Sequence, residues 1–125
     1  MDTLDQAALI AFVATSVPEQ AKVFYRDVLG LSLVSDDPFA LVFDCRGTML
    51  RVQKVQAHTP AGHTALGWQV SDVAATLRGL VAKGVSPERY PFLEQDAAGI
   101  WAAPSGARIA WFRDPDGNVL SLTQL

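Results

Sequence analysis

Two side chains in this sequence carry the chemistry that catalysis or anion binding requires, and they are the candidate catalytic residues. His63 is a residue type that can serve as a general base, although its place near a connector also fits an exposed residue at the start of a strand. Arg51 can bind a carboxylate or phosphate through two parallel hydrogen bonds. Alternatively, Arg51 lies at a rim, paired with an acid such as Asp44 or directed into solvent.

Three other reactive groups are better explained by local structure. Cys45 follows a predicted strand beside Arg46, and a neighbouring cation can lower a thiol pKa, but no base is placed to use it. A lone cysteine also excludes an intramolecular disulfide and a cysteine-only metal site. Asp114 and Asp116 enclose a proline and precede a glycine, which predicts that they form a turn before they form a catalytic pair.

The elements that position these residues are two β-hairpins, each made of apolar runs around a tight turn. The hairpins are predicted at residues 39–53 and 108–123. Superposing Gly47 on Gly117 aligns Arg51 with Ser121, Leu50 with Leu120 and Val52 with Leu122. The match predicts two copies of one structural module.

Each hairpin follows a predicted strand and helix, so that each module reads β-α-β-β-β. A capping box from Ser16 to Glu19 predicts the start of the first helix, and Gly30 predicts its end. In the second module, residues 85–98 are irregular, with a short strand expected at 88–92. We expect one domain over residues 1–125, with module one at about 8–55, a connector at about 56–63 and module two at about 64–125.

Composition narrows the functional class. The chain has 125 residues, of which 50% are hydrophobic and 18% charged, as in globular proteins. The net charge of −3 lacks the positive excess that is typical of nucleic-acid-binding proteins. No apolar run approaches the length of a membrane-spanning segment. The N-terminal residues 1–5 are acidic, unlike a signal peptide. We expect a soluble, cytoplasmic protein with no nucleic-acid or membrane partner.

Two segments carry a resemblance to a known family: V-P-E-Q-A-K-V-F-Y-R-D-V-L-G-L at residues 17–31 and F-R-D-P-D-G-N-V-L-S-L at residues 112–122. Together with the second capped helix, they resemble the vicinal oxygen chelate superfamily, which includes glyoxalase I, extradiol dioxygenases and the bleomycin and fosfomycin resistance proteins. The resemblance implies an α+β fold in which two β-α-β-β-β modules form a curled mixed sheet around a cup. It also implies a homodimer and, in the enzymes, a divalent metal held by four side chains.

The positions that the resemblance assigns to the metal ligands carry unsuitable residues here. They fall on Ile10, Arg51, Ala65 and Ser121. Divalent cations prefer imidazole, carboxylate or thiolate ligands, and a permanent cation repels them. His63 lies two residues before Ala65 and would reach that position after a shift of register, but one imidazole is too few. We therefore expect no metal and no cofactor.

Strand alternation sorts the side chains that would line such a cup. By parity, Trp68 belongs to the face that packs on the helices, whereas Trp101 and Trp111 are candidates for an aromatic wall. The predicted ligand-binding residues are Ile10, Phe12, Arg51, Gln53, His63, Ala65, Trp101, Trp111, Ser121 and Thr123. This mostly apolar lining with a few polar groups is typical of a small-molecule site.

Three functions fit this lining. The first is binding of a small organic molecule without the usual metal, similar to the sequestering, bleomycin-resistance branch. The second is a glyoxalase- or dioxygenase-like enzyme, metal-independent or with atypical ligands, that uses His63 and Arg51. The third is a non-catalytic sensor or interaction module. Fold resemblance alone does not choose among them.

Overall fold

The structure, a computed structural model, describes residues 3–125, and the first two residues of the acidic N-terminal stretch lie outside the described residues. The chain divides into two compact units, of which the first ends at His58 and the second begins at Thr59. Among the described residues, no helix has the length and apolar character needed to cross a bilayer.

The first unit is a β-α-β-β-β module preceded by a 3₁₀ turn at Leu4–Gln6. Its elements are β1 (Ile10–Thr15), α1 (Pro18–Val23) continued by a π-helical turn (Phe24–Val28), β2 (Ser32–Asp36), β3 (Ala40–Cys45) and β4 (Thr48–Lys54). The strands form a mixed sheet in the order β1-β4-β3-β2, in which only the β1–β4 pair is parallel.

The second unit repeats the same order of elements. They are β5 (Thr64–Gln69), α2 (Val73–Ala82), β6 (Trp101–Ala102), β7 (Arg108–Arg113) and β8 (Val119–Gln124). The sheet order is β5-β8-β7-β6, again with one parallel pair, β5–β8. The predicted α+β fold of two β-α-β-β-β modules, each with a mixed sheet, is confirmed.

Strand register shows that the two modules are equivalent residue by residue. In the first sheet Val42 of β3 pairs with Arg51 of β4, and in the second Trp111 of β7 pairs with Ser121 of β8. The next pair towards the turn is a phenylalanine opposite a leucine in both sheets. The predicted equivalence of Arg51 and Ser121 is therefore confirmed.

In each sheet one face packs against the module's helices. In the first unit Leu50 and Val52 are almost fully buried, and the ring of Tyr25 from the π-helical turn lies 5.9 Å from the ring of Phe43. In the second unit Leu120 and Leu122 are buried, and the side chain of Gln124 accepts a 2.9 Å hydrogen bond from the first N–H of α2. We call the opposite face of each sheet its open face.

The two predicted hairpin turns form as expected. At the second turn the buried Asp114 accepts hydrogen bonds from the backbone N–H groups of Asp116 (3.0 Å) and Asn118 (2.9 Å) and from the Asn118 side chain (2.8 Å). At the first turn Arg46 and Gly47 both have positive φ angles, 51° and 89°, as a two-residue hairpin loop requires. Asp114 is thus the residue that organises the closing turn.

Two local predictions are wrong. The N-cap residue of the first helix is Val17 rather than Ser16, without a side-chain cap, and the Thr15 hydroxyl accepts the N–H of Val17 at 3.1 Å. The segment at 88–92 forms no strand. The Gln95 side chain instead accepts the N–H of Tyr90 and donates to the carbonyl of Glu88, bonds that a neighbouring strand would otherwise make. Short polar side chains compete with regular structure for backbone groups, and the sequence pattern does not reveal which wins.

Candidate functional site

Four aromatic side chains of the second unit lie side by side, and we call Tyr90, Phe92, Trp101 and Trp111 the aromatic cluster. The indole rings of Trp101 and Trp111 have centroids 6.2 Å apart with planes tilted by 34°. Tyr90 meets Trp111 edge to face at 5.5 Å and meets Phe92 at 5.5 Å. These are favourable separations for aromatic pairs, so the four rings support one another.

The two tryptophans of the cluster come from the open face of the second sheet. Trp111 of β7 pairs with Ser121, which pairs in turn with Gly67 of β5. Trp101 of β6 pairs with Ile109, which lies two residues before Trp111 on β7. A strand places alternate side chains on one face, which is why these residues share it. The register places Trp101 and Trp111 on the same face, and their role as the wall of a binding site stays a prediction.

Gly67 leaves room beside the cluster that no other residue type would leave. A Cβ added at Gly67 would collide with the hydroxyl of Ser121. The Ser121 side chain occupies the space over Gly67 and is itself buried. The floor next to Trp111 is therefore flat, with a glycine and a small hydroxyl in place of two larger side chains.

A hydrogen bond fixes the Trp111 indole. Its Nε1–H donates to the hydroxyl of Thr64 at 3.2 Å. β5 has a register irregularity at Ala65, between Thr64 and Leu66, so strand alternation does not run unbroken from Gly67 back to Ala65 and His63. Thr64, which the sequence analysis missed, holds the position predicted for Ala65, and the exposed His63 precedes the strand.

The other two rings come from the segment between α2 and β6, which is held by backbone contacts. The Glu88 N–H donates to the Trp111 carbonyl at 2.7 Å. The Gln95 side chain accepts the Tyr90 N–H at 2.7 Å and donates to the carbonyls of Glu88 (2.9 Å) and Gly99 (2.7 Å). Gln95 thus holds the loop that presents Tyr90 and Phe92.

Tyr90 is the titratable residue of the aromatic cluster. Burial, reinforced by the nearby carboxylate of Glu88, raises the pKa of the Tyr90 hydroxyl. Glu88 itself forms an ion pair with Arg113, which also donates to the carbonyl of Gly117 at 2.8 Å. Tyr90 therefore stays protonated at neutral pH and offers a hydroxyl as a polar handle beside apolar rings.

The remaining predicted site residues lie in the first unit or at the margin of the second sheet. Ile10 and Phe12 lie on the open face of the first sheet and are 45% and 57% exposed. On the same face Arg51 pairs with Phe12, and Gln53 is exposed. Thr123 pairs with Ile109 on the open face of the second sheet. Arg51 adds to the backbone N–H groups of Phe39 and Ala40 in lowering the pKa of Asp37.

The residues at the four implied ligand positions do not fit a divalent metal. Ile10 and Ala65 have no donor atom, Arg51 is a cation, and the Ser121 hydroxyl is a weak neutral ligand packed over Gly67. Across residues 3–125, no three His, Cys, Asp or Glu side chains lie together in a way that would hold a metal ion. We derive no chemistry through a metal at these positions.

Comparison with known proteins identifies the family of this fold. The sequence model of the Glyoxalase/Bleomycin resistance protein/Dioxygenase superfamily matches residues 3–122. A search of the curated proteins finds no match.

Three solved structures illustrate the similarity. The antibiotic binding protein TnmS3 from Streptomyces sp. CB03234 is 28% identical, with a TM-score of 0.68 and 95% of each chain covered. Lactoylglutathione lyase from Agrobacterium tumefaciens is 20% identical, with a TM-score of 0.74 and coverage of 95% of this chain and 93% of that one. A putative glyoxalase family protein from Bacillus anthracis is 17% identical, with a TM-score of 0.78 and coverage of 99% and 98%.

Proposed function

The chain belongs to the Glyoxalase/Bleomycin resistance protein/Dioxygenase superfamily, and from that premise we propose that it binds and sequesters a small planar organic molecule on its aromatic cluster, without a metal. The observation that carries the proposal is the arrangement of Tyr90, Trp101 and Trp111 on one open sheet face. Binding removes the molecule from solution, and no chemical step is required of the protein.

The exposure of the cluster supports binding over simple core packing. Phe92 is 79% exposed, and Trp101 and Trp111 are only half-buried. Leaving large rings partly in water is unfavourable, and a planar ligand would cover them while gaining ring–ring contacts of about 0.5–1.5 kcal/mol each. An exposed apolar patch of this kind marks an interaction site more often than a surface without function.

The support around the cluster favours a preformed site. Thr64 holds the Trp111 indole, and Gln95 makes three hydrogen bonds that fix the segment bearing Tyr90. Side chains that are ordered before binding lose little entropy when the ligand arrives, so more of the contact energy appears as affinity. The Tyr90 hydroxyl adds one polar group for orientation.

The similarity to TnmS3, which is described as an antibiotic binding protein, also supports binding of a small molecule. At 28% identity over 95% of both chains, this likeness supports a ligand-binding role for the family branch in which we place the chain. The similarity to the lactoylglutathione lyase, at 20% identity, supports a shared fold and carries no argument about activity.

The enzyme alternative has less support. It requires His63 as a base, oriented by a partner, beside Arg51 as an anion-binding group. His63 is exposed, and within residues 3–125 it makes no hydrogen bond or ion pair that would orient it. Arg51 belongs to the first unit, where Asp37 is its acidic neighbour.

The proposal also retains the homodimer and the cytoplasmic location expected from the sequence. Ile10, Phe12 and Met49 on the open face of the first sheet are 40–57% exposed, which is apolar surface that a second copy would cover. Cys45 is not part of a disulfide, which suits a reducing compartment. Sedimentation equilibrium of the full chain measures whether it is a dimer.

The test is a thermal-shift screen of chelator-treated protein against three probes: acridine, 2-naphthoate and bleomycin. A ligand that binds only the native state raises the melting temperature by mass action. We expect at least one planar probe to stabilise the protein saturably with EDTA present, and the Trp111→Ala variant to lose that shift. Stabilisation that appears only after Mn, Fe, Ni, Zn or Co is added, or that survives Trp111→Ala, would overturn the proposal.

A further inference from the structure

A cavity lies in the second unit, between α2 and the segment that precedes β6, and we call it the α2 groove. Its volume is about 610 Å³, within the range of small-molecule sites. One wall is a stripe of α2 that includes Leu77 and Val81. The other wall is formed by residues such as Ala97 and Ala98. The groove shares no lining residue with the aromatic cluster.

The groove exists because its walls carry small side chains. Ala74 and Ala82 lie at the two ends of the α2 stripe, and alanines face them across the gap. These methyl groups are too short to meet, so the space between the walls stays unfilled. Leu77 forms a fully buried floor, whereas Val81 is 46% exposed. An apolar ligand in the groove would remove the exposed part of Val81 from water, which is favourable.

Hydrogen bonds keep the wall opposite α2 in place. The Arg89 guanidinium donates to the carbonyls of Asp96 at 2.8 Å and Ala97 at 2.6 Å. The Asp96 carboxylate accepts the N–H groups of Ala98 and Ile100, both at 2.9 Å, which lowers its pKa. These four hydrogen bonds fix the local shape of this wall.

The α2 groove contains a single charge, that of Arg78. Within the described part of the chain, the Arg78 guanidinium forms no ion pair. An unpaired guanidinium at the edge of an apolar groove offers two parallel donors to a carboxylate. Charge complementarity therefore selects an anionic ligand with an apolar body over a neutral or cationic one.

We propose that the α2 groove binds an apolar monocarboxylate, with the carboxylate on Arg78 and the hydrocarbon body against Leu77 and Val81. Ala82 lies eight residues beyond Ala74 along the helix, which is about 12 Å at a rise of 1.5 Å per residue. This length suits an extended chain of medium size. The site is separate from the one proposed for the aromatic cluster.

The test is calorimetric titration of the full chain with decanoate and with decan-1-ol, its uncharged analogue. We expect decanoate to bind more tightly than the alcohol. Arg78→Gln is expected to weaken decanoate about three- to tenfold and to leave the alcohol unchanged, since only the charge–charge contact is lost. The matched control is Arg46→Gln, at the hairpin turn of the first unit, which leaves both affinities unchanged.

A second pair of variants tests the location. Ala74→Leu and Ala98→Leu fill the α2 groove from opposite walls, and each is expected to abolish binding of both probes. The proposal would be overturned if decanoate and decan-1-ol bind with equal affinity and Arg78→Gln changes neither affinity. Loss of decanoate binding in Trp111→Ala would also overturn it, because that loss would place the acid on the aromatic cluster. A dimer that becomes a monomer in Ala74→Leu would show that a second copy occupies the groove.

Discussion

The indole N–H of Trp111 donates to the hydroxyl of Thr64, 3.2 Å away on the far side of β8. This bond links the two strands that flank β8 across the open face of the second sheet. It orients one indole of the aromatic cluster before any ligand is present. The affinity of the cluster is therefore expected to depend on a residue that need not touch the ligand.

Thr64→Val removes the acceptor and keeps the shape of the side chain. The Trp111 indole loses its fixed orientation, and we expect the affinity for a planar probe such as acridine to fall about two- to fivefold. Thr64 is exposed, so the free energy of unfolding changes by less than about 1 kcal/mol. Titration calorimetry and chemical denaturation separate the two effects; a large loss of stability with unchanged affinity would refute this role.

Removal of either cluster tryptophan is expected to have a much larger effect. Trp101→Ala and Trp111→Ala each delete a ring from the proposed binding surface, and we expect affinity to fall at least tenfold, about 1.4 kcal/mol or more. Trp68→Phe is the control, because Trp68 pairs with Leu122 on the helix-packed face. Fluorescence titration measures all three, and equal losses in the control and the test variants would contradict the assignment.

The contact between Gly67 and Ser121 predicts a coupled pair of mutations. Gly67→Ala places a Cβ against the Ser121 hydroxyl and is expected to destabilise the protein by about 1–2 kcal/mol. In a Ser121→Ala background the same change meets no hydroxyl and costs at least about 0.5 kcal/mol less. Urea denaturation of the four proteins gives the coupling energy; additive effects would show that the two residues do not compete for this space.

Asp114 is expected to be the most sensitive residue of the closing hairpin. Asp114→Ala leaves two backbone N–H groups and a side-chain amide without their acceptor, at a cost of about 2–4 kcal/mol. Asp114→Asn keeps one acceptor oxygen and should recover part of that loss. Differential scanning calorimetry checks the order, which is contradicted if Asn is as harmful as Ala.

Asp36 makes stability depend on acid pH. Lys54 at 2.5 Å and Lys22 at 3.0 Å lower the pKa of its carboxyl in the folded state. The stabilisation is complete above the unfolded pKa of about 3.9 and is lost as pH falls through the lower folded value. Asp36→Asn should therefore melt slightly below the wild type at pH 7, and the difference should vanish on acidification. A difference that grows towards pH 3 would reverse the assigned sign.

The sequence predicts the modules well and the site only partly. Turn residues such as Gly47 and Gly117 fix the hairpins locally, and strand alternation then places Leu50 and Leu120 in the core and Trp111 on the open face. These features depend on short-range rules that a single sequence carries.

The features that the sequence does not reveal depend on contacts far apart in the chain and on side chains that bond to nearby backbone groups. The irregularity at Ala65 puts Thr64 against Trp111, 47 residues away. Gln95 binds the backbone of Tyr90 and Glu88 and prevents the expected strand there. Bulges and side-chain bonds to backbone leave no periodic signal, so the sequence does not place Phe92 beside the two tryptophans.

The central claim, that the aromatic cluster binds a planar molecule without metal, is tested most directly by nuclear magnetic resonance. The chain has three tryptophans and hence three indole N–H signals in a nitrogen–proton correlation spectrum. With EDTA present and acridine or bleomycin added, we predict saturable shifts of the Trp101 and Trp111 signals and none for Trp68. A probe that binds while only the Trp68 signal moves, or one that moves no indole signal until a divalent metal is added, would contradict the claim.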